Sequence, residues 1–374
     1  MICRVCNGGL QILLQYENMP KAAQNFPEYK DLPTEKGADL EVCECKVCGL
    51  VQLSNKPVPY YKEVIRAVAF SEEMKQFRVT QFTNFVDKYS LLGKKVIEIG
   101  CGKGEFLQLM KDAGTDAYGI EYSDDSVQFC RDQGLQVEKD YILYAHDLLK
   151  NQPFDCFFIL NFFEHLPDLN STLQALHNNL TDEGIGIIEV PNFDMIIQEN
   201  LFSEFINDHL YYFTEDTLRA VLSRHGFEVI ETSQVWHNYI ISMVIRKKQS
   251  LDLSSFKDHQ EKVTKELQDY ISGYENGSVA IYGAGHQALA MISLAKLGDS
   301  IKYVLDDAPF KQGKYTPATH IPIVSSEMLR KDPPQAIIIM AASYSDEVAR
   351  KLEQAKLGIN LSILRNNRIY TIEA

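Results

Sequence analysis

One segment constrains the fold more than any other part of the chain. Residues 96–99 (V-I-E-I) form an apolar run typical of a buried strand, and G-C-G-K-G at residues 100–104 follows directly. Residues 105–113 then have the composition of a helix. Glycines let the backbone approach a ligand closely where a β-carbon would clash. The order of strand, glycine turn and helix therefore predicts the start of a ligand-binding α/β sheet.

Further strands alternate with helices after this unit. We predict strands over residues 117–120, 154–160 and 185–190, and closing antiparallel strands over residues 227–230 and 239–245. Strands that alternate with helices are typical of a doubly wound parallel sheet. The predicted fold class is therefore α/β.

A second αβ pattern occupies the last third of the chain. The polar, helical stretch 250–276 is interpreted as a linker, and strands are predicted from residue 279 onwards. With 374 residues, two or three domains are expected. We predict a zinc-binding module at 1–69, a ligand-binding sheet domain at 70–250 and a C-terminal αβ domain at 251–374.

Cysteines cluster at the start of the chain, since five of the eight lie in the first 48 residues. Cys3-x-x-Cys6 and Cys45-x-x-Cys48 are two pairs whose spacing lets both thiolates of a pair face one ion. Four thiolates suit tetrahedral, structural zinc. The alternative is a set of free buried cysteines. Cys43 lacks the pair spacing and is interpreted as a bystander.

The glycines of this turn lie at alternate positions. This spacing fits the binding site of a nucleoside methyl donor better than it fits the G-x-G-x-x-G pattern of dinucleotide sites. Glu121 ends the next predicted strand, where a carboxylate can accept hydrogen bonds from both ribose hydroxyls. Glu98 is expected either to hold the glycine turn or to face the amino-acid part of the donor.

These residues match a family pattern. E-I-G-C-G-x-G with an acid at the next strand end resembles motif I of class I S-adenosylmethionine (SAM)-dependent methyltransferases, and F-D-C-F-F-I-L-N-F-F-E-H-L at 154–166 resembles their fourth-strand motif. The resemblance implies SAM as the cofactor; a NAD-type fold is the alternative. The cofactor site is predicted to contain Glu98, Gly100, Gly102, Gly104, Glu121, Tyr122, Asp140, Asn161 and His165.

The order of modules is more specific than any single motif. A zinc knob, a methyltransferase core and a C-terminal αβ domain together resemble the sugar C-methyltransferases that act on nucleotide-linked keto-deoxysugars. C-G-L-V-Q-L at 48–53 resembles their second knuckle, and D-D-A-P-F-K-Q-G-K-Y-T-P at 306–317 resembles their C-terminal signature. The resemblance implies a class I methyltransferase (Rossmann-like) sheet, flanked by a small zinc module and a Rossmann-like C-terminal domain.

The same family carries a Y-x-E-H motif that supplies a general base. Here residues 206–209 read I-N-D-H, so His209 is kept, Asp208 replaces glutamate and Ile206 replaces tyrosine. The resemblance implies that His209 removes a proton from the carbon beside a ketone and that Asp208 orients the His209 side chain. Neutral histidine suits this task. A loop-capping role for both residues, and an oxygen instead of a carbon acceptor, remain alternatives.

The predicted C-terminal αβ domain has its own glycine turn. Residues 283–288 fit G-x-G-x-x-A, with Asp306 at the next strand end, which taken alone suggests NAD. The family resemblance instead implies that the turn faces the phosphates of the sugar nucleotide across the interdomain cleft. The predicted substrate-binding residues are Tyr282, Gly283, Ala284 and Gly285.

Charge and hydropathy bear on partners and location. The formal net charge of −14 argues against nucleic acid, whose phosphates need a basic face. The longest apolar run, at 336–342, is far shorter than the roughly 20 residues that span a bilayer. The chain opens with a cysteine motif instead of a signal-peptide pattern. We therefore expect a cytoplasmic protein without a nucleic-acid or membrane partner, and the family resemblance implies a small nucleotide-linked sugar as its partner.

Overall fold

The structure is a computed structural model, and it describes residues 1–22, 26–62, 71–366 and 368–372. It divides into two compact units, Met1–Ser250 and Leu251–Ala374. Within those described ranges, no helix is both long and apolar enough to cross a membrane.

The first unit combines two sheets with helices. Its strands are β1 (Leu10–Met19), β2 (Ala38–Cys45), β3 (Val51–Leu53), β4 (Lys95–Ile99), β5 (Asp116–Glu121), β6 (Gln136–Lys139), β7 (Phe154–Leu160), β8 (Leu180–Pro191), β9 (Tyr211–Tyr212), β10 (Phe227–Val235) and β11 (Ile240–Lys247). Its helices are α1 (Glu72–Lys88), α2 (Glu105–Asp112), α3 (Asp124–Asp132), α4 (Leu169–Asn179), α5 (Phe193–Gln198) and α6 (Glu215–Arg224).

The larger sheet of this unit has the strand order β10-β11-β8-β7-β4-β5-β6. Strand β4 lies between β5 and β7 and is parallel to both, while β11 runs antiparallel to β8 and β10. The predicted doubly wound sheet and its closing antiparallel strands are confirmed. The chain leaves β4 towards β5 and later returns on the other side as β7. The carboxyl ends of β4 and β7 therefore flank a switch point, where α/β sheets bind ligands.

The apolar residues of segment 70–90 have helical spacing, which predicts a helix before β4, and this helix is confirmed as α1. Ser71 caps it by accepting a hydrogen bond from the amide of Met74, and its buried face includes Phe82 and Phe85. Phe70, which belongs to the same predicted pattern, lies outside the described residues. This helix covers the sheet, since Phe82 packs on Phe158 of β7.

The smaller sheet joins the cysteine-rich segment to a distant part of the chain. Its strand order is β1-β2-β3-β9. Val51 and Gln52 of β3 pair with Tyr212 and Tyr211 of β9, and the amide of Leu53 donates to the Leu210 carbonyl at 3.0 Å. The segment that immediately follows His209 is therefore a strand of the cysteine module.

The second unit contains one further sheet. Its strands are β12 (Val279–Tyr282), β13 (Ile301–Leu305), β14 (Ile323–Val324), β15 (Ala336–Ile339), β16 (Asn360–Arg365) and β17 (Arg368–Ile372), and its helices are α7 (Ser254–Ser272), α8 (His286–Leu294), α9 (Met328–Lys331) and α10 (Ser345–Gln354). The strand order is β14-β13-β12-β15-β16-β17, parallel except for β17.

Helix α7 occupies most of the stretch that the sequence suggests is a linker. Its residues Val263, Leu267 and Ile271 are buried in the core of the second unit. The linker interpretation is wrong, because three apolar residues at helical spacing are enough to dock an otherwise polar helix.

Candidate functional site

The four cysteines of the two Cys-x-x-Cys pairs lie together. Their sulfur atoms are all within 4.8 Å of one another. The Sγ atom of Cys6 is 3.4 Å from that of Cys45 and 3.5 Å from that of Cys48, and the Sγ atoms of Cys3 and Cys48 are 3.8 Å apart. Zinc–sulfur bonds of about 2.3 Å in a tetrahedron imply sulfur separations of roughly 3.8 Å. The cluster therefore has the dimensions that one zinc ion requires.

N–H groups point at these sulfur atoms. The amides of Val5, Gly8 and Val47 each lie 3.4 Å from the Sγ atom of the cysteine two residues earlier. The side-chain amide of Gln52 donates to Cys3 Sγ at 3.2 Å. Such donors stabilise thiolates, which are the form that binds metal. Since Gln52 lies on β3, the sulfur cluster is tied directly to the strand that pairs with β9.

The glycine turn after β4 adopts a backbone that favours glycine. Gly100, Gly102 and Gly104 have φ angles of 72°, 56° and 79°. At Gly104 space is also limiting, because a Cβ there would lie 2.5 Å from the Leu135 side chain. The turn leads directly into α2, for which Gly104 is the N-cap.

Glu121 is held at the end of β5 by backbone amides. Its carboxylate, only 1% exposed, accepts hydrogen bonds from the amide of Gly102 at 3.0 Å and from those of Tyr122 and Ser123 at 2.9 Å. These bonds fix the carboxylate against the glycine turn, at the position predicted for the donor ribose.

A pocket lies beside this turn. It contains about 290 Å³ of empty space, part of it open to solvent. Its lining includes the predicted residues Gly100, Glu121, Tyr122 and Asp140, together with the apolar side chains of Ile120, Ile142, Phe162 and Leu166. Acidic groups beside an apolar wall suit a nucleoside, whose ribose is polar and whose base is flat.

Lys62 also lines this pocket, although the sequence gives no signal for it. Its Nζ atom lies 5.0 Å from the centre of the Tyr122 ring and 5.3 Å from that of Tyr141. Ammonium groups within about 6 Å of a ring face are attracted by it. Only folding brings this lysine of the N-terminal module to the pocket beside the glycine turn.

Two histidines and a glutamate converge after β7. Glu164 Oε1 is 3.8 Å from His165 Nε2 and 4.0 Å from His209 Nε2. The rings of His165 and His209 meet edge to face, with centroids 4.7 Å apart. Phe162, which lines the pocket, stacks on His165 with a centroid distance of 6.2 Å. The histidine cluster therefore adjoins the predicted donor site.

Asp208 connects this cluster to the cysteine module. Its Oδ1 atom accepts a hydrogen bond from the Tyr60 hydroxyl at 2.6 Å, and its backbone oxygen lies 2.9 Å from Nδ1 of His165. A carbonyl oxygen can only accept, so His165 carries its proton on Nδ1 and, when neutral, has a lone pair on Nε2. Tyr60 thus places a phenol beside Asp208, where Ile206 cannot provide one.

Burial shifts the protonation of these groups. It lowers the pKa of His209 well below its ordinary value, with a further contribution from His165, and it also lowers the pKa of His165. Burial raises the pKa of Glu164 to about 8. At neutral pH both imidazoles are therefore neutral, and Glu164 is largely protonated.

The second glycine turn is also specific in conformation. Gly283 has a φ of 111°, and a Cβ there would lie 2.8 Å from the Met340 carbonyl oxygen. Gly285 is the N-cap of α8, and a Cβ built on it would meet no described atom within 4 Å. The turn thus presents backbone at the start of a nine-residue helix.

Carboxylates surround this turn and are already paired. Asp306 accepts a hydrogen bond from the Ala284 amide at 2.9 Å and an ion-pair contact from Lys311 at 2.7 Å. The Tyr282 hydroxyl donates to Asp307 at 2.6 Å. An NAD-type site would need Asp306 for ribose hydroxyls, whereas here its carboxylate is ion-paired with lysine.

The remaining predicted residues lie around these features. Glu98 lies on β4 and is 2% exposed. Asn161 is exposed, and its backbone amide donates a hydrogen bond to the Glu189 carbonyl at 2.9 Å. Cys43 lies on β2 with its Sγ atom 3.7 Å from the Glu41 carbonyl oxygen, outside the group of four sulfur atoms.

Comparisons with known proteins give the following similarities. Residues 71–232 match a family described as methyltransferase domain, and residues 245–360 match one described as C-methyltransferase C-terminal domain. The chain is 23% identical to C-methyltransferase NovU of Streptomyces niveus, over 92% of this chain and 90% of that protein. It is 37% identical to a ubiquinone biosynthesis O-methyltransferase of Methylococcus capsulatus, over 23% of this chain and 38% of that one.

A solved SAM-dependent methyltransferase of Clostridium acetobutylicum is similar to this chain, with a TM-score of 0.39 and 13% identity over 50% of this chain and 96% of that one. The fold assignment itself depends on the strand order described above and on the two domain matches.

Proposed function

We propose an acceptor and a mechanism for this chain, which is a SAM-dependent methyltransferase with a C-methyltransferase C-terminal domain. The acceptor is a nucleotide-linked keto-deoxysugar, and the methyl group goes to a carbon next to the keto group. One observation carries the proposal: His209, His165 and the Tyr60–Asp208 pair are gathered beside the donor pocket.

His209 is the general base in this proposal. Its neutral imidazole takes a proton from the carbon beside the ketone, and the electrons of that C–H bond form an enolate. SAM supplies the methyl group to the enolate carbon, with the electrons of its S–CH₃ bond passing to sulfur. Asp208 and Tyr60 are positioning residues, because their hydrogen bond fixes the segment that carries His209.

The donor is bound by residues of the first unit. The pocket lined by Gly100, Glu121, Tyr122 and Asp140 accepts its nucleoside part, with Glu121 facing the ribose. Lys62 has to move or re-orient when the donor enters, since its side chain forms part of the same lining. Structural zinc at the four cysteines holds the module that provides both Tyr60 and β3.

The nucleotide diphosphate of the acceptor is assigned to the second unit. Residues 282–285 form a glycine turn at a helix N-terminus, and such backbone amides bind phosphate without needing a net positive charge. The pairing of Asp306 with Lys311 favours this assignment over NAD binding. Stoichiometric NAD binding to the full chain would contradict it.

The test is a reaction of the full chain with SAM and a panel of nucleotide-linked ketosugars in deuterated water. We expect a C-methyl product by NMR, and deuterium at the α-carbon even when SAM is omitted. His209→Ala should reduce both by about 10²–10⁴-fold, the usual contribution of a general base. His237→Ala is the matched control, because that histidine is 77% exposed. A methyl ether without exchange would instead support an O-methyltransferase.

A further inference from the structure

The cluster of Glu164, His165 and His209 has properties that a general base alone does not require. One ligand atom from each residue lies within 4.8 Å of the other two. We propose that these three side chains bind one divalent first-row transition-metal ion, at a site separate from the four cysteines.

The distances are close to those of a bound ion. Metal–nitrogen and metal–oxygen bonds of about 2.0–2.2 Å place neighbouring ligand atoms roughly 3.3 Å apart in a tetrahedron. Glu164 Oε1 is 3.8 Å from one histidine Nε2 and 4.0 Å from the other. Since all three ligand atoms lie within 4.8 Å of one another, side-chain rotations that bring them at most about 1.5 Å closer would complete the site.

The imidazole of His165 is also in the state that a metal needs. The contact between His165 Nδ1 and the Asp208 carbonyl leaves the lone pair of His165 on Nε2, which faces Glu164. A ligating histidine typically has its other nitrogen fixed by such a partner. Glu164 is 1% exposed, and its Oε2 atom has no hydrogen-bond partner among the residues that the structure describes. A cation that binds here would replace the proton that this carboxyl group holds at neutral pH.

The chemistry of the ligands restricts the kind of ion. Two imidazoles and one carboxylate suit zinc, cobalt, nickel or iron better than magnesium or calcium, which prefer oxygen ligands. The side chains of His165 and His209 are 22% and 16% exposed, so one side of the ion would face solvent. Three protein ligands with an open position are typical of accessible metal sites.

Metal binding has a consequence that depends on the proposed function. A neutral imidazole has a single lone pair, so His209 can either take a proton from the sugar or hold a metal ion. The ion and the proton transfer are therefore mutually exclusive, and an ion at this site inhibits the enzyme.

Cobalt(II) is a suitable probe for the full chain with zinc at the cysteines, because zinc binds more tightly than cobalt to such ligands and is retained. We expect one added equivalent of Co²⁺ to give visible d–d absorption without the charge-transfer band of thiolate ligands. If the wild-type protein binds no Co²⁺ in addition to its zinc, the proposed site is refuted.

Variants then identify the ligands. Glu164→Gln, which keeps the shape of the side chain, and His209→Ala should each weaken Co²⁺ binding by at least about tenfold, the effect seen even for outer-shell partners. His237→Ala should leave it unchanged, and zinc content shows whether each variant has folded. Full Co²⁺ affinity in folded Glu164→Gln or His209→Ala protein would contradict the assignment.

The rate of α-proton exchange should fall as the site fills, with the same midpoint as the cobalt titration. Unchanged exchange at full occupancy would refute the inhibition. If metal-free enzyme shows no exchange with any sugar, the proposed function fails, whereas the cobalt titration still decides whether the site exists.

Discussion

Replacing Tyr60 by phenylalanine removes one hydroxyl from the boundary between the cysteine module and the proposed catalytic segment. That hydroxyl donates to Asp208 Oδ1 at 2.6 Å, and Asp208 is 3% exposed. Hydrogen bonds to charged groups contribute about 1.5–3 kcal/mol. If the whole amount is lost from the transition state, kcat falls by roughly 10- to 160-fold, since about 1.4 kcal/mol corresponds to a factor of ten.

The assay is α-proton exchange and methyl transfer with the acceptor that the panel identifies, alongside calorimetry of SAM binding. We expect SAM affinity to be unchanged in Tyr60→Phe, because Tyr60 is not among the residues lining the donor pocket. Tyr29→Phe is the matched control, since Tyr29 belongs to the same module and is 90% exposed. Wild-type exchange in folded Tyr60→Phe would refute the positioning role.

Further loss should be small when Asp208→Asn is added to Tyr60→Phe, because the two residues act through one hydrogen bond. Fully additive losses would mean that each residue acts through a different partner. The cycle therefore separates a shared contact from two independent effects on His209.

Three other predictions address zinc, a buried ion pair and the donor turn. Replacing Cys45 and Cys48 by serine should remove bound zinc, which metal analysis measures. The same change should lower kcat more than SAM affinity, because β3 pairs with the strand after His209. Unchanged zinc content would contradict this prediction. Arg78→Met should cost about 3–5 kcal/mol in urea unfolding, because it leaves the fully buried Glu189 carboxylate without its ion-pair partner; a loss below about 1 kcal/mol would argue against that ion pair. Gly104→Ala should cost about 1–3 kcal/mol through crowding against a leucine; wild-type unfolding would disprove it.

Local features were readable from the sequence. The strand predicted at residues 154–160 is β7. Ser123 caps α3 by accepting a hydrogen bond from the Ser126 amide, and serine is a residue that favours this position before a helix. The glycine turn and the four-cysteine group were also predictable, since each depends on residues close together in sequence or on a repeated spacing. The resemblance to C-methyltransferases is confirmed, because whole-domain order is itself a sequence property.

The sequence pattern of helix α7 predicts a helix but does not show whether that helix packs against the rest of the chain. Its exposed face is mostly polar, which suggests a linker, whereas Val263, Leu267 and Ile271 place its narrow apolar face in a core. The sequence shows such a stripe, but only the presence of a sheet to receive it decides whether the helix docks.

The fold class, the glycine turn after β4 and the grouping of the four cysteines follow from the amino-acid sequence, because backbone propensity and cysteine spacing act over short distances. Tertiary structure alone brings Tyr60 to Asp208, Lys62 to the pocket beside the glycine turn, and Glu164 to two histidines. These partners come from segments far apart in the chain. The pairing of β3 with β9 and the switch point of the main sheet bring these segments together. A local sequence pattern does not encode such contacts, because each one depends on the register in which distant strands pair.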